Sequence, residues 1–432
     1  MFPRNFISGI IILTLTLVFW IKLDNFLSGP IFFVFISIAF TTFLLIEFGL
    51  ASFVYRPVGD RKYSPRVSLI IPAYNEEKVV YETVAAAAKS NYPRDLFEII
   101  VVNDGSTDET MRELDRARTD FGIRAIHLER NRGKRGAIVE GFKESRGKVI
   151  TVMDSDTFLS PDALYNGVQY FSDPKVGAVC GNGKVYNKGE NTLTKMQDAW
   201  YDSMFTVFKG AESVFGMVTC CSGLLSFYRR KSIAGMIGSW ATETFLGVPV
   251  KAGEDRSLTN IVLQPRILYS DDADDRILTS VVAKRGELVV YARNAVAYTI
   301  VPNTFKKFIR QQIRWKRGWF RGNLLAFTFM WRKHPLGSLL YYLHTILAYL
   351  TPIVVARMLL LPILKGSYLS SAYYILGLMY VGFLYAIYYA AREPRGTWPY
   401  RVLFQVTYNL LVSPFLSLFA WMTIRRDSWM TR

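Results

Sequence analysis

The segment VITVMDSD, at residues 149–156, joins a run of strand-forming residues to two aspartates that are separated by one residue. A short apolar, β-branched run followed by carboxylates is typical of a buried strand that leads into a ligand-binding turn. Alternate side chains of a strand share a face, so Asp154 and Asp156 can converge on one cation or phosphate. The competing interpretation is an ordinary acidic surface loop, but the buried strand in front of it favours a functional site.

Similar runs precede this segment, and helical patterns separate them. Predicted strands cover residues 67–71, 98–102, 125–128 and 149–153, and predicted helices cover 79–89, 110–118 and 137–144. Strands that alternate with helices indicate an α/β domain with a mostly parallel sheet. Ligands of such sheets bind at the carboxyl ends of the strands.

Polar residues follow these predicted strands. The first strand leads into Pro-Ala-Tyr-Asn-Glu at 72–76, and the second leads into Asn-Asp-Gly-Ser at 103–106. Asp104 can be the cap of a strand-to-helix turn or a hydrogen-bond acceptor for a base or ribose. The segment Lys134-Arg135-Gly136 can be a solvated loop, or it can place Lys134 near a diphosphate.

The two ends of the chain are strongly apolar. Residues 6–21 and 31–54 are predicted to form an uncleaved helical hairpin rather than a signal peptide. Three further apolar stretches cover 337–363, 368–391 and 402–424. The last contains Gln405, Asn409, Ser413 and Pro414, so we expect an interfacial or re-entrant helix, giving four spans and a cytosolic C-terminus. Five spans are the alternative.

Composition narrows the class of protein. The 432 residues are 51% hydrophobic and carry a net charge of +17. That charge fits positively charged loops facing the cytosol and anionic lipid, or a basic lining for a nucleotide diphosphate, and no basic-aromatic platform for nucleic acid is present. Three cysteines without metal-ligand spacing indicate a reduced cytosolic domain without disulfides or zinc.

The segment QQIRW, residues 311–315, lies just before the apolar C-terminal third. An arginine can bind phosphate oxygens in a bidentate manner, and an indole face suits the C–H face of a sugar ring. Taken alone, the segment would be an amphipathic helix anchored by Arg314 and Trp315 at a membrane surface.

The motifs IPAYNE, VVNDGSTD, GKRGA, MDSD, CCSGLLSFYRR, GEDRSLTN and QQIRW occur in the order found in membrane-embedded processive family-2 glycosyltransferases. The chain most resembles hyaluronan synthases and chitooligosaccharide synthases, with strong motifs over residues 65–320. This resemblance implies a GT-A-type domain inserted between transmembrane helices of a multi-pass cell-membrane protein with a cytoplasmic catalytic domain. The expected segments are a hairpin at 1–56, the GT-A domain at 57–303, interface helices at 304–335, membrane or interface helices at 336–424 and a tail at 425–432.

The resemblance also implies roles for individual residues. Expected donor-binding residues are Ala73, Tyr74, Glu76, Asp104, Lys134, Arg135 and Asp154. Asp156 and Asp154 would hold Mg2+ or Mn2+, with Asp156 the more direct ligand. The acceptor would contact Cys221, Ser222, Gly223 and Trp315. The diphosphate and gating residues would be Gln311, Arg314, Trp429, Thr431 and Arg432, the last three in a tail similar to the W-G-T-R segment of hyaluronan synthases.

The catalytic base of this family is the second acid of an acid-Asp-Arg motif, and the chain contains two copies. Asp255 has the family-like spacing from the preceding motif, whereas Asp275 has it from QQIRW. Only one can face the donor, and we favour Asp255 because its matching stretch is longer. The other copy would begin a surface helix, where acids are favourable.

The implied function is polymerisation of UDP-N-acetylglucosamine, together with UDP-glucuronate if the enzyme is hyaluronan synthase-like, onto a growing polysaccharide in the lipid bilayer. The alternative within the class is a chitin-type synthase that uses UDP-N-acetylglucosamine alone. A non-processive transferase to a lipid phosphate is less favoured because such enzymes usually lack Gln-x-x-Arg-Trp, and an inactive scaffold is disfavoured by the full set of acids. The sequence carries no indication of the oligomeric state.

Overall fold

An eight-stranded sheet organises the central part of the chain. The computed structural model describes residues 4–24, 31–265, 286–366 and 368–426. The strands of the main sheet and of a separate two-stranded ribbon are β1 Val67–Ala73, β2 Phe97–Asn103, β3 Arg124–His127, β4 Val149–Val152, β5 Thr157–Leu159, β6 Val176–Val185, β7 Ser226–Arg229, β8 Thr244–Phe245, β9 Val248–Pro249 and β10 Leu288–Thr299.

The main sheet has the order β3-β2-β1-β4-β7-β6-β10-β5. Strand β1 pairs in parallel with β2 and β4, and β2 pairs in parallel with β3. Strand β7 runs antiparallel to β4 and β6, so the parallel half meets a mixed half in the middle of the sheet. The carboxyl ends of β1, β2 and β4 therefore lie at one edge. This is a GT-A-type α/β sheet, and the predicted fold class is confirmed.

Helices flank the sheet and occupy both ends of the chain. Their bounds are α1 Arg4–Asp24, α2 Ile31–Gly49, α3 Val80–Ala88, α4 Thr110–Phe121, α5 Gly133–Glu144, α6 Ala163–Val168, α7 Thr192–Ser203, α8 Gly210–Val214, α9 Arg230–Ile233, α10 Ile237–Ala241, α11 Glu254–Leu263, α12 Phe305–Phe327, α13 Pro335–Val355, α14 Leu361–Leu364, α15 Tyr368–Ala390, α16 Tyr400–Thr407 and α17 Ser413–Met422. Single π-helical turns cover Leu50–Val54, Met204–Lys209, Ala356–Leu360 and Tyr408–Val412. The four strands and three helices predicted up to residue 153 are confirmed within a few residues.

Helix α5 lies directly on the central strand. A Cβ on Gly141 would lie 2.6 Å from Cγ2 of Ile70, so only glycine permits this approach without a shift. Strand β1 is buried along its whole length. This packing places the first turn of α5, which carries Lys134, beside the functional edge of the sheet.

Four helical segments of the described chain are long and apolar enough to cross a membrane. They are Phe35–Val54, Pro335–Leu364, Ser371–Ala390 and Tyr400–Met422, while Phe6–Trp20 is a shorter apolar helix. Four spans were also expected from the sequence, but they are not the same four segments. Segment 400–422 is long and apolar enough to span a membrane, whereas segment 6–20 is too short.

The last of these segments lies along α12. Lys316 donates to the hydroxyl groups of Ser413 at 3.1 Å and Ser417 at 2.9 Å. At its start, Arg401 Nε donates to Ser203 Oγ of α7 at 2.8 Å, and at its end Arg317 Nη2 donates to Thr423 Oγ1 at 2.8 Å. Both ends of the segment thus contact elements that adjoin the sheet domain.

Candidate active site

Asp104 lies at the carboxyl end of β2, in the turn predicted to bind a base or ribose. Its side chain is 2% exposed, and Oδ1 accepts a hydrogen bond from the Arg132 backbone at 2.7 Å. Oδ2 is buried and has no partner within the described part of the chain. Burial raises the pKa of this carboxyl group, and the Arg132 backbone bond opposes that rise. A buried acceptor without a partner is a place where a ligand N–H or O–H can bind.

The turn after β1 is hydrogen-bonded to the turn that carries Asp104. Asn75 N donates to Ser106 Oγ at 3.0 Å, and Thr107 N donates to Asn75 Oδ1 at 2.9 Å. The Ala73 carbonyl accepts from Asp104 N at 2.8 Å, and Glu76 N donates to Thr110 Oγ1 at 2.7 Å. The backbones of the predicted donor-binding residues therefore build the wall of the Asp104 site. Tyr74, between them, is half-buried.

Lys134 joins two acidic motifs that are far apart in the sequence. Its Nζ atom lies 2.5 Å from Asp154 Oδ1 and 2.8 Å from Glu254 Oε1, and its side chain is 10% exposed. Burial opposes ionisation of Glu254, but Lys134 and then Arg314 outweigh that effect and lower its pKa to about 2. The same acids raise the pKa of Lys134 against the effect of burial. Lys134 and Glu254 are therefore both ionised at neutral pH.

Asp154 and Asp156 lie beyond the end of β4, whereas the sequence predicted that they share one face of this strand. Strand β4 ends at Val152, so Asp154 and Asp156 lie in a turn rather than on one strand face. The Asp154 backbone N–H donates to the Gly223 carbonyl at 3.1 Å, which fixes the turn against the CCSG segment. Both side chains still line the same cavity.

Within the described residues, no group of three or more His, Cys, Asp or Glu side chains is placed to hold a metal ion. Magnesium is commonly bound by one or two protein carboxylates while phosphates and water complete its ligands. The Asp154 and Asp156 pair is compatible with that arrangement, with Asp154 already paired to Lys134.

Asp255 follows Glu254 at the start of α11, and its side chain lines the cavity. Cys220 Sγ donates to Asp255 Oδ2 at 3.4 Å, and the Arg256 backbone donates to Oδ1 at 2.8 Å. A carboxylate held in this way can accept a proton from a hydroxyl group in the cavity. The second candidate base, Asp275, lies outside the described residues.

Three of the four residues of the CCSG segment, 220–223, line the cavity. Cys220, Ser222 and Gly223 line the cavity, whereas Cys221 is fully buried and its backbone N–H donates to Thr259 Oγ1 at 2.8 Å. The structure therefore places Cys221 outside the cavity lining, and its expected contact with the acceptor stays a prediction. A Cβ on Gly223 would lie 2.9 Å from Lys134 Nζ, so this glycine leaves room for the Lys134 pair.

Arg135 does not lie along the cavity as expected. It is 4% exposed, and its Nη1 donates to the Trp240 carbonyl at 2.6 Å and to Glu243 Oε2 at 2.7 Å. Its guanidinium carbon also lies 5.0 Å from the centre of the Trp240 ring. Successive residues of a helix point in different directions, so α5 presents Lys134 to the site and Arg135 to α10.

QQIRW lies on α12, and all five of its residues line the cavity. Gln311, Arg314 and Trp315, which were expected to bind the diphosphate and the acceptor, are among them. Gln311 Oε1 is buried without a partner among the described residues. Gln312 also accepts a hydrogen bond at 2.8 Å from the hydroxyl group of Tyr408, which lies in the π-helical turn after α16.

Trp315 is surrounded by an aromatic cluster. This cluster was not predicted from the sequence. Trp200 lies with its ring centre 6.0 Å from that of Trp315 and 5.3 Å from that of Phe404, and it stacks on the latter at 19°. Phe404 stacks in turn on Tyr408 at 4.9 Å and 12°. Trp200 is in α7, more than 100 residues before Trp315, so its role depends on the folded arrangement.

These groups surround one cavity of about 1360 Å³. Its lining includes Asp154, Asp255 and Trp315 of the sheet domain and α12, and also Phe43 and Val381 of the apolar helices. Trp429, Thr431 and Arg432, expected to gate the cavity, lie outside the described residues.

Comparison with known proteins agrees with this architecture. Residues 68–235 match the family model Glycosyl transferase family 2. A GT-A-type sheet, this match and the relatives given next together show that the protein is a hexosyltransferase with a family 2 glycosyltransferase domain, as the motif order predicted.

Hyaluronan synthase of Streptococcus pyogenes is 28% identical over 401 residues, which are 90% of this chain and 88% of that protein. The N-acetylglucosaminyltransferase of Azorhizobium caulinodans is 33% identical over 266 residues, 61% of this chain and 62% of that protein. The similarity to hyaluronan synthase and the four apolar helices identify a membrane protein.

A solved structure shares the fold. The mannosyltransferase PcManGT from Pyrobaculum calidifontis, in complex with GDP-Man and Mn2+, superposes with a TM-score of 0.57 at 20% identity and covers 94% of this chain and 99% of that one.

Proposed function

We propose that the protein is a processive inverting transferase that adds N-acetylglucosamine from UDP-N-acetylglucosamine to a growing polysaccharide and passes the product into the membrane. The observation that carries this proposal is the continuity of one cavity from Asp154 and Asp255, past Trp315, to the apolar helices. A transferase that releases each product needs no such extension, whereas a polymerase must hold its product while the next unit is added.

The donor would bind at the carboxyl ends of β1, β2 and β4. The unpartnered Oδ2 of Asp104 would accept from the uracil or ribose, and Lys134 would approach the diphosphate. Mg2+ or Mn2+, held by Asp156 with Asp154, would neutralise the leaving diphosphate. Arg314 would add a second, bidentate contact to the phosphate oxygens.

The transfer step needs a base on the acceptor side. Asp255 would take the proton from the acceptor hydroxyl while that oxygen forms a bond to the anomeric carbon. The bond between this carbon and the diphosphate oxygen breaks at the same time, so UDP leaves and the anomeric configuration inverts. Trp315 and Trp200 would hold the acceptor sugar in line, since aromatic faces pack on sugar rings.

We also propose that the sheet domain faces the cytoplasm of the cell and that 400–422 lies at the membrane surface. Its bonds to α12 along its length, and its contacts at Arg401 and Thr423, support the surface location. The segments 35–54, 335–364 and 371–390, together with α1, would then cross the bilayer.

Purified full-length protein in detergent, supplied with Mg2+ and labelled UDP-N-acetylglucosamine, tests the proposal. We expect UDP release and a labelled polymer, and loss of at least about 100-fold in rate for Asp255→Asn. Asp275→Asn in the same assay is the matched control and should retain most activity. Absence of UDP release from the wild-type protein would refute the proposal, and full activity of Asp255→Asn would remove Asp255 as the base.

The donor requirement separates two products. Polymer that forms only when UDP-glucuronate is also present would identify a hyaluronan-type enzyme, which the 90% coverage by hyaluronan synthase supports. Polymer from UDP-N-acetylglucosamine alone would identify a chitin-type enzyme, which the N-acetylglucosaminyltransferase relative supports.

A further inference from the structure

Cys220 lines the cavity, but its thiol has no part in the proposed transfer step. The side chain is half-buried, and Sγ donates to Oδ2 of Asp255 at 3.4 Å. The other carboxylate oxygen, Oδ1, accepts from the backbone N–H of Arg256 at 2.8 Å. Within the described part of the chain, Cys220 is the only side chain that donates a hydrogen bond to this carboxylate. The direction of Oδ2 therefore depends on the thiol.

The backbone around Cys220 is held on both sides. Lys209 Nζ donates to the Cys220 carbonyl, and the next backbone N–H, that of Cys221, donates to Thr259 Oγ1 at 2.8 Å. Lys209 belongs to the π-helical turn Met204–Lys209, and Thr259 belongs to α11. Two separate elements thus fix the position from which the thiol reaches Asp255.

The same segment, residues 219–221, is attached to the first turns of α11, where Asp255 lies. Thr259 Oγ1, which accepts from the segment, donates in turn to the Asp255 carbonyl at 2.7 Å. Arg256 Nη1 donates to the Thr219 carbonyl at 3.3 Å. Together with the thiol contact, these bonds connect each of the three residues of the segment to α11. The backbone of Asp255 is therefore fixed relative to the segment, and the thiol adds control of the carboxylate.

A thiol is chemically suited to orient a base. Burial raises the pKa of the Cys220 thiol, and the charge of Asp255 raises it further, so Sγ keeps its proton and stays a donor. A strong donor to the charged form of a carboxylate lowers its affinity for a proton. The S–H group is a weak donor. Cys220 can therefore hold Oδ2 in place while Asp255 retains its capacity to accept a proton.

We propose that Cys220 is a positioning residue for the transfer step, and that its thiol holds the Asp255 carboxylate in the orientation that receives the proton of the acceptor hydroxyl. This inference rests on the proposed function, because it takes Asp255 as the base. The S–H bond stays intact, and the proton passes from the acceptor hydroxyl to Asp255. Without the thiol the carboxylate turns about its side-chain bonds, and fewer bound acceptors meet an aligned base.

Initial UDP release from labelled UDP-N-acetylglucosamine and Mg2+, measured on the purified full-length protein, tests this role. Cys220→Ala should lower kcat about 5- to 20-fold and leave the KM for the donor within about twofold, because alignment acts after the donor has bound. Cys220→Ser keeps a donor and should retain at least about half of the wild-type kcat. Cys220→Val fills the space without a donor and should behave like Cys220→Ala.

Cys180→Ala is the matched control. This buried cysteine of β6 donates to the Gly181 carbonyl at 3.3 Å and is not part of the cavity lining. The substitution should lower the thermal transition but leave kcat within about twofold, since packing is lost without a change at Asp255. An equal fall in kcat for Cys180→Ala and Cys220→Ala would overturn the positioning role.

A double-mutant cycle separates this role from a general structural one. In the Asp255→Asn background, Cys220→Ala should change the residual kcat by less than about twofold, because the thiol acts only through the carboxylate. A further fall there, or wild-type kcat in folded Cys220→Ala and Cys220→Val, would overturn the proposal. Full activity of Asp255→Asn, or no UDP release from the wild type, would instead refute the proposed function, and the positioning role with it.

Discussion

Gly253 packs directly against Gly318: a Cβ added to Gly253 would lie 2.8 Å from the Cα atom of Gly318. Gly253 precedes α11 with a φ of 82°, a conformation that strongly favours glycine. The contact joins the helix that begins with Glu254 and Asp255 to the helix that carries Arg314 and Trp315. Because Gly253 and Gly318 have no side chains, α11 and α12 can approach closely. The distance between Asp255, the candidate base, and Trp315 depends on this close approach.

Gly318→Ala should lower the turnover rate by about 10- to 100-fold, because a shift of about 1 Å between α11 and α12 misaligns the acceptor with the base. Initial rates of UDP release measure this effect. Gly238→Ala is the control, since a Cβ there meets no atom within 4 Å and activity should be unchanged. Wild-type turnover in Gly318→Ala would show that the two helices tolerate displacement.

Glu254→Gln should destabilise the protein in a pH-dependent manner. The pKa of Glu254 is lowered from 4.5 to about 2, because Lys134 and Arg314 outweigh the effect of burial. A lowered folded-state pKa means that the contribution of Glu254 is fully present above pH 4.5 and is lost as the pH falls toward 2. We expect the variant to lose about 1–3 kcal/mol at pH 7 and less at pH 3.

Thermal transitions of both proteins at pH 7 and pH 3 measure this difference. Glu140→Gln, which removes a partly exposed acid from α5, should change the transition little at either pH because surface ion pairs contribute little. If the difference in transition temperature between wild type and Glu254→Gln were larger at pH 3 than at pH 7, the charge state assigned to Glu254 would be wrong.

Substitutions of Lys134 and Arg135 should differ in their effect on donor binding. Lys134→Met should raise the KM for the donor at least about tenfold, because the ammonium group faces the cavity. Arg135→Lys should lower stability by about 1–3 kcal/mol, because a lysine cannot reproduce the bonds to Trp240 and Glu243, but should leave the donor KM within about twofold. If both substitutions raised the KM for the donor equally, Arg135 would be a donor-binding residue, as the sequence predicted.

Trp200→Ala should shorten the polymer more than it slows the first transfer, because its ring completes the aromatic platform around Trp315. Product size on gels and initial UDP release separate the two effects. Trp331→Ala is the matched control, as that indole is 62% exposed and bonds only locally to the Thr328 carbonyl. Equal product lengths in both variants would exclude Trp200 from the acceptor site.

Local patterns in the sequence determined much of this molecule. Alternating apolar runs and turn residues predicted β1 to β4 and α3 to α5 within a few residues, because hydrophobic periodicity and breakers act over short distances. The order of the acidic motifs and QQIRW predicted the class of enzyme. The apolar ends predicted membrane helices.

Tertiary structure alone decided which distant residues meet. Lys134, Asp154 and Glu254 converge only because α5, the β4 turn and α11 pack at one sheet edge, and no periodicity carries that information. The same packing turned Arg135 and Cys221 away from the cavity and placed Trp200 beside Trp315. Sequence thus specified the elements and their chemistry, whereas side-chain direction and long-range packing specified which of those groups form the site.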